Sequence, residues 1–203
     1  IRTEARIRLL ADGICMAEDK GELQLTDYGL SGIPVFQISR YASRALDKGS
    51  RVRASIDFMP SWKEDEAFRL LKKRAVMLKE KPVGELFTGM LNRKLAQVLI
   101  KLSGMDPSAL CERLGNRQLE RILYQLKSYE AIVMSVNPFS NAQVCCGGVD
   151  TREVDPDTME SRIRTGLYLA GELLDVDGIC GGYILQFAWP SGWIAGQSAA
   201  GIE

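Results

Sequence analysis

The spacing of apolar residues changes twice along this chain, and this change is the strongest constraint on its fold. Up to about residue 60 the spacing is mostly that of strands, because apolar residues alternate with charged or polar ones over residues 5–9 and 52–58. From about residue 61 to residue 128 the spacing is helical, and after that short β-type runs and glycine-rich loops return. The sequence therefore predicts a strand-rich region, a helical region and a final mixed region.

The strand-rich region is predicted to contain a hairpin and a helix as well. Residues 13–27 have the pattern of a hairpin, for which residues 19–21 are the predicted turn. Residues 32–49 have the pattern of a helix that ends at Gly49.

The helical region is predicted to hold several helices in succession. Apolar residues follow one helix face over residues 91–102, and another apolar stripe covers residues 119–126. Asp106 with Pro107 is predicted to cap and start a helix, and Asn116 is the candidate cap of the stripe at 119–126.

The mixed region is predicted to combine short strands with one terminal helix. The predicted strands are residues 130–136, 142–146 and 166–171. The helix is predicted over residues 182–200, with Pro190 and Gly192 interrupting it.

Charge and residue content exclude several classes of function. The 26 basic and 26 acidic residues cancel, which argues against a nucleic-acid partner, and no apolar run reaches the ~20 residues of a membrane span. The chain has no histidine, so it cannot supply a Ser-His-Asp or Cys-His mechanism. Its five cysteines include no CxxC and no zinc spacing, so we expect no metal site and mostly buried, reduced thiols.

Residues 171–196 carry the strongest chemical signal in the sequence. An apolar strand that ends at Gly171 and Glu172 would place a carboxylate at the edge of a sheet where ligands bind, within reach of ribose or ribitol hydroxyls. Gly181 and Gly182 then open a helix whose N-terminus suits an electron-rich atom. This pattern is typical of a site for a nucleotide-like cofactor, and a glycine-rich turn before a packing helix is the alternative.

Four segments resemble a known family. They are GELQLTDYGLSGIPVFQISR near the start and AQVCCGGVDTREVDPDTMESR, GLYLAGELLDVDGICGGY and LQFAWPSGWIAG near the end. They resemble the YhiN/BaiN-like family of bacterial flavoproteins, which covers NAD(P)/FAD-dependent oxidoreductases and aminoacetone-oxidase-like FAD-binding enzymes. Both ends of the chain match in the family's order, and the middle helices fit the family's variable inserted region.

This resemblance implies an α+β fold made of three parts. A β-barrel-like insertion domain with a helical subdomain is followed by the C-terminal segment of a Rossmann-type FAD-binding domain. The implied boundaries are residues 1–60 and 61–128 for the β-rich and helical parts, 129–138 for a returning strand, and 139–203 for the FAD-binding segment. The N-terminal half of the FAD domain, with its GxGxxG motif, would then be missing, and we expect this fragment to bind FAD poorly by itself.

The resemblance also assigns contacts with the cofactor. Glu172 corresponds to an acidic residue that binds the ribitol region, and the backbone at Gly181, Gly182 and Tyr183 corresponds to the pyrimidine edge of the flavin. Ile184 replaces the family's asparagine, so a side-chain contact is not expected there. The full set of expected cofactor residues is Gly147, Gly148, Gly171, Glu172, Asp175, Asp177, Gly181, Gly182, Tyr183 and Ile184.

By resemblance, the function is that of a cytoplasmic FAD-dependent oxidoreductase. NAD(P)H is a candidate reductant, and the expected partner is a small-molecule substrate, with neither nucleic acid nor membrane. No catalytic acid or base can be named from this chain. The alternative is a non-enzymatic folded module that binds no cofactor by itself.

Overall fold

The computed structural model describes residues 1–142 and 144–201, which form two compact units. The first unit spans Ile1–Val136 and the second spans Asn137–Glu203. The finer domain boundaries at residues 60, 128 and 138 stay a prediction.

The first unit contains a five-stranded antiparallel sheet with the strand order β3-β2-β1-β4-β5. Ala5, Ile7 and Leu9 are buried, whereas Arg6 and Arg8 between them are exposed, so the predicted alternation is confirmed. The strands are β1 Arg2–Ala11, β2 Ile14–Leu25, β3 Leu30–Ser31, β4 Val52–Asp57 and β5 Tyr129–Ile132.

The hairpin between β1 and β2 turns at Asp12 and Gly13, so the predicted turn at residues 19–21 is wrong. Asp12 and Gly13 have φ values of 50° and 87°, the conformation that a two-residue hairpin turn requires. Residues 19–21 lie inside β2 and pair with β1. Gly21 instead allows close packing of β2 against the following helix, because a Cβ at this position would lie only 3.3 Å from Cδ of Pro34.

Four α-helices belong to the first unit. The predicted helix at residues 32–49 is present, and its Ile38 and Ala42 are buried. The whole apolar stripe at residues 119–126 is also buried, as the sequence predicts. The helices are α1 Ile33–Asp47, α2 Glu64–Met77, α3 Arg93–Leu102 and α4 Asn116–Lys127.

The apolar face of α3 differs in part from the prediction. Leu95 and Leu99 are buried as expected, but Val98 and Leu102 are about half exposed, at 49% and 52%. Ala96 and Ile100 are buried in the same helix, so the contact face is rotated towards them.

Two predicted helix starts are also corrected. Asp106 does not begin a helix, because its carboxylate accepts hydrogen bonds from the backbone N–H and hydroxyl of Ser108, at 2.9 and 2.7 Å, and forms a local turn. These bonds, the backbone one first, lower the pKa of Asp106. The cap of α4 is Gly115, whose N–H donates to Oε1 of Gln118 at 3.1 Å, so Asn116 is the first helical residue.

A partly buried ion pair fastens the end of α4 to the end of β4. Nζ of Lys127 lies 2.6 Å from Oδ2 of Asp57, and both side chains are 13% exposed. The same ammonium group donates to the carbonyls of Met59 and Trp62 at 2.9 and 2.7 Å. Lys127 therefore has two partly buried partners, Asp57 and the carbonyl of Met59, and one exposed partner, the carbonyl of Trp62.

The second unit consists of loops, single turns of 3₁₀-helix and one long helix, α5 Tyr183–Ala200. Its buried apolar residues, within the described part of the chain, are Val154, Met159, Leu174 and Ala195. Helix α5 runs through Pro190 and Gly192, so the prediction that these residues interrupt it is wrong.

The described residues of the two units also form five single turns of 3₁₀-helix. They are Val83–Glu85, Cys111–Arg113, Phe139–Asn141, Thr151–Glu153 and Gly171–Leu173.

The strands predicted after residue 129 are present in part. Residues 130–136 contribute to β5, but residues 166–171 form an isolated bridge at Tyr168 instead of a buried strand, and Leu167 is exposed. No strand occurs in the described part of residues 142–146, while Gln143 lies outside the described residues.

Four of the five cysteines are exposed, so the prediction of mostly buried thiols is wrong. Cys111 is buried, and this burial is the main reason why its pKa is raised. Cys145, Cys146 and Cys180 lie in loops of the second unit, which has a small core and exposes most of its length.

Within residues 1–142 and 144–201, no helix combines the length and the apolar character needed to cross a membrane.

We expect the substitution Lys127→Met to destabilise the first unit by about 3 kcal/mol. It leaves the Asp57 carboxylate and two carbonyls without their cationic partner. Urea unfolding followed by circular dichroism measures this loss. Lys94→Met, on the exposed first turn of α3, is the matched control and should change stability by less than about 0.5 kcal/mol. Equal stability of the two variants would contradict the role assigned to Lys127.

Candidate functional site

All ten predicted cofactor residues lie in the second unit, in two loops and the start of α5. Gly147 and Gly148 are in the first loop, and residues 171–182 form the second. The carboxylate residues Glu172, Asp175 and Asp177 are all exposed. Their cofactor contacts stay a prediction, but the geometry of the two loops shows what this region can hold.

Backbone hydrogen bonds join the two loops side by side. The N–H of Val149 donates to the carbonyl of Leu173 at 2.8 Å, and the N–H of Asp175 donates to the carbonyl of Val149 at 2.9 Å. These bonds form a parallel bridge between Val149 and Leu174. A Cβ on Gly148 would lie 2.6 Å from the Leu173 carbonyl oxygen, so glycine is required for this close approach.

The second loop is attached to α5 through a buried serine. Oγ of Ser191 accepts a hydrogen bond from the N–H of Gly171 at 3.0 Å and donates to the carbonyl of Phe187 at 2.8 Å. Ser191 is 2% exposed, so the bond is shielded from water. The role of Ser191 was not predicted from the sequence, although a serine placed directly after Pro190 in an apolar helix was a usable signal.

Glycine also shapes the start of α5. Gly181 and Gly182 have φ values of 127° and 90°, and the residue at the cap, Gly182, has no side chain that could satisfy the first N–H groups of the helix. A Cβ on Gly147 or Gly182 would meet no atom within 4 Å. The backbone is therefore open on this side at both positions.

An ion pair fixes the segment that follows Gly148. The Asp150 carboxylate accepts a hydrogen bond from the backbone N–H of Arg152 at 2.9 Å and pairs with its guanidinium. These interactions, the side-chain hydrogen bond first, lower the pKa of Asp150 to about 2. The turn therefore keeps its negative cap at neutral pH, and it loses that cap as the pH falls towards about 2.

The aromatic residues of α5 fall into two groups. Phe187 packs against the core of the second unit. Tyr183, Trp189 and Trp193 are 57%, 69% and 64% exposed. Such large exposed apolar side chains on one short unit mark a surface for a ligand or for further polypeptide.

Taken together, the described site can accept hydrogen bonds from hydroxyl groups at Glu172 and can bring backbone N–H groups of α5 close to an electron-rich edge. Both are features that protein sites for dinucleotide cofactors use. Within the described residues, no group of three or more cysteines and carboxylates is placed to hold a metal ion.

Two family models match the chain. The HI0933-like protein barrel and H2TH domain matches residues 4–144, and the HI0933-like protein Rossmann domain matches residues 94–198. Each match covers more than half of the chain, so this chain belongs to the HI0933-like family. The predicted α+β fold, with a barrel-type sheet, helices and a Rossmann-type segment, is thereby confirmed.

Curated relatives agree with this family. The chain is 44% identical to 3-dehydro-bile acid delta(4,6)-reductase of Clostridium scindens, over 98% of the chain and 49% of that protein. It is 33% and 28% identical to the ribosomal RNA dihydrouridine synthases of Escherichia coli and Haemophilus influenzae, over 86% and 91% of the chain and 41% and 44% of those proteins. The chain thus spans about half the length of the relatives it matches, or less. The predicted resemblance to BaiN-like flavoprotein oxidoreductases is confirmed.

We expect Gly148→Ala to separate the two loops of the site. The added methyl group would overlap the Leu173 carbonyl, so the Val149–Leu174 bridge cannot form. Hydrogen exchange at the Asp175 amide, which donates to Val149, should accelerate by at least about tenfold. Gly192→Ala is the control, because a Cβ there meets nothing and alanine favours a helix. Unchanged Asp175 exchange in the Gly148 variant would refute the requirement for glycine.

We expect Ser191→Ala to release the Gly171 turn while α5 stays folded. The Gly171 N–H loses its buried acceptor, which costs about 1–3 kcal/mol locally. Exchange of the Gly171 amide should accelerate, and Ser191→Thr, which keeps the hydroxyl, should restore slow exchange. Acceleration in both variants would mean that packing, and not the hydrogen bond, holds the turn.

Proposed function

We propose that this chain is the insertion and flavin-side part of an FAD-dependent oxidoreductase that adds hydrogen across a carbon–carbon double bond. The observation that carries this proposal is the 44% identity with 3-dehydro-bile acid delta(4,6)-reductase over 98% of the chain. We further propose a cytoplasmic location and NAD(P)H as the reductant.

The reaction class follows from what the relatives' names have in common. A delta(4,6)-reductase reduces double bonds of a steroid ring system, and a dihydrouridine synthase saturates a double bond of a uracil ring. Each reaction adds hydrogen to a carbon–carbon double bond within a ring. Reduced flavin supplies hydride for reactions of this type, and the protein orients both partners. The higher identity favours a small, steroid-like substrate.

Reduction of uridine in RNA is the second candidate. Two relatives, at 33% and 28% identity, carry the name ribosomal RNA dihydrouridine synthase. The two candidates share the flavin chemistry and differ in the substrate that must reach it.

The residues of the second unit fit the flavin end of FAD. Glu172 would accept hydrogen bonds from ribitol hydroxyls, and the backbone at Gly181, Gly182 and Tyr183 would face the pyrimidine edge, where the helix dipole favours negative charge. Gly147 and Gly148 would line the ring, since open space lies beside Gly147. Asp175 and Asp177 would shape the loop between them.

The rest of the FAD domain would cover the apolar surface of the second unit. Trp189 and Trp193 are exposed on α5, and the chain spans about half of its bile-acid-reductase relative. Without that covering part, we expect residues 1–203 to bind FAD weakly.

The cofactor proposal is tested on the complete protein that contains this chain. We expect it to purify with flavin absorbance near one FAD per protein and to lose that flavin in Glu172→Ala. The affinity for FAD should fall by at least about tenfold, because a charged hydrogen-bond acceptor is removed. Glu153→Ala, an exposed carboxylate in the same unit, is the matched control. A colourless complete protein would sink the flavoprotein proposal, and equal affinity in both variants would refute the role of Glu172 alone.

The substrate is tested by anaerobic turnover. The reduced complete protein should be reoxidised by a 3-oxo-4,6-diene steroid, and mass spectrometry should find two added hydrogen atoms in the product. Reoxidation by a uridine-containing RNA and not by the steroid would favour the second candidate.

A further inference from the structure

The outward side of α4 and the end of α3 border a cleft that the flavin proposal does not use. The cleft has a volume of about 630 Å³ and lies within the first unit. We call it the α3–α4 cleft. Its lining includes Leu102, Gly104, Arg117, Arg121, Tyr124 and Gln125.

The charge of this region differs from that of the whole chain. Residues 93–127 contain seven basic and three acidic residues, a net charge of +4, or +3 once the ion pair of Lys127 with Asp57 is counted, whereas the 203 residues together carry no net charge. A charge average over the whole chain therefore hides a local positive region. The expectation of no nucleic-acid partner rested on the zero net charge and on the acidic residues interleaved among the basic ones of the helical region, whereas the lining of the α3–α4 cleft contains one acidic residue, Glu120.

Two arginines are available to an anion at the cleft. Arg117 and Arg121 lie one turn apart on α4, and both are exposed. Neither forms an ion pair with any residue of the two described ranges. Arg121 reaches Gly104 at the end of α3, where a Cβ would lie 4.0 Å from its Nη1 atom. Guanidinium groups bind phosphate oxygens in pairs, and the single carboxylate of the lining, Glu120, leaves an excess of positive charge.

An aromatic ring accompanies the arginines. Tyr124 follows Arg121 by three residues, so its side chain lies on the same side of α4, and it is 56% exposed. An exposed tyrosine beside guanidinium groups can stack on an unpaired base while the guanidinium groups hold the neighbouring phosphates. Bases in a duplex do not offer their faces for such stacking, whereas RNA loops and ends do.

We propose that the α3–α4 cleft binds single-stranded RNA. Arg117 and Arg121 contact successive phosphates, and Tyr124 stacks on a base between or beside them. The proposal extends the second candidate function, reduction of uridine in RNA, by naming a surface that would hold the strand. Its binding test does not require flavin, because none of the expected flavin residues lies in this unit.

The composition of the cleft disfavours other anionic partners. An anionic membrane surface would call for several exposed apolar side chains beside the charges, and in this lining Leu102 is joined by polar groups. An acidic peptide would use the arginines but would leave the ring of Tyr124 without a planar partner.

Fluorescence anisotropy measures the binding of a fluorescein-labelled oligouridylate. The strand has about 12 nucleotides, a length within the range of known single-strand sites. The protein is used without flavin or reductant at several salt concentrations. The variants are Arg117→Gln with Arg121→Gln, Tyr124→Ala and Tyr124→Phe. The matched control is Arg6→Gln with Arg8→Gln, which removes two exposed charges from β1. Circular dichroism melting checks that every variant is folded.

We expect the parent protein to bind the strand with clear salt dependence. The Arg117/Arg121 variant should bind at least about tenfold more weakly, and its plot of log affinity against log salt should lose about 1.4 units of slope, the value for two phosphates on a single strand. Tyr124→Ala should weaken binding at least about fivefold, while Tyr124→Phe and the Arg6/Arg8 control should match the parent.

Three results would overturn the proposal. They are no binding by the parent protein, an equal loss in the Arg6/Arg8 control, and equal competition by polyglutamate or by duplex RNA. The last result would assign the cleft to anions in general. Failure of flavin binding would leave this test unaffected, so the two proposals can fail separately.

Discussion

The ammonium group of Lys127 connects the two kinds of structure in the first unit. Its hydrogen bonds to Asp57, Met59 and Trp62 hold the last turn of α4 against the end of β4. The apolar residues of α4 then face the core, and its other side is left at the surface, where the α3–α4 cleft lies. The ammonium group of Lys127 is largely removed from water, so it depends on these hydrogen bonds. The bonds therefore help to hold α4 with its polar side towards solvent.

The second unit depends on main-chain contacts more than on its core. Its buried apolar residues in the described range are few, and the two loops of the candidate site are held by backbone pairing at Val149 and by the hydroxyl of Ser191. Backbone pairing of this kind fixes loops to within small distances but contributes little burial of apolar surface. The positions of the two loops therefore depend on a few specific hydrogen bonds.

Periodicity in the sequence was sufficient for β1 and for α4, because the alternation in β1 and the stripe of α4 correspond directly to buried faces. It failed at the turns. Asp19, Lys20 and Gly21 resemble a turn locally, but pairing with β1 and the close approach of Pro34 outweigh that local preference. The predicted strand at residues 166–171 failed for a related reason, since an apolar run becomes a strand only where neighbouring strands pair with it.

The residues of the candidate site could be predicted from the sequence, but their arrangement in space could be predicted only in part. Glycines and carboxylates stood out in the sequence, but the contact between Gly148 and the Leu173 carbonyl joins positions far apart in the chain. Ser191 was hidden because its role arises from a partner twenty residues away. The basic residues near Arg117 were discounted because acidic residues are interleaved with them in the sequence, and which of these residues share one surface is not visible there.

The sheet topology has a consequence for how this architecture can vary. Strands β4 and β5 are neighbours in the sheet, although the whole helical region separates them in the chain. The chain therefore leaves and re-enters the sheet at adjacent points. Helices inserted between two such points can lengthen or shorten without changing any strand pairing, provided that their buried faces still complete the core that they share with the sheet and that a contact equivalent to Lys127 with Asp57 closes the junction. The sheet can thus stay constant while the helical module diversifies.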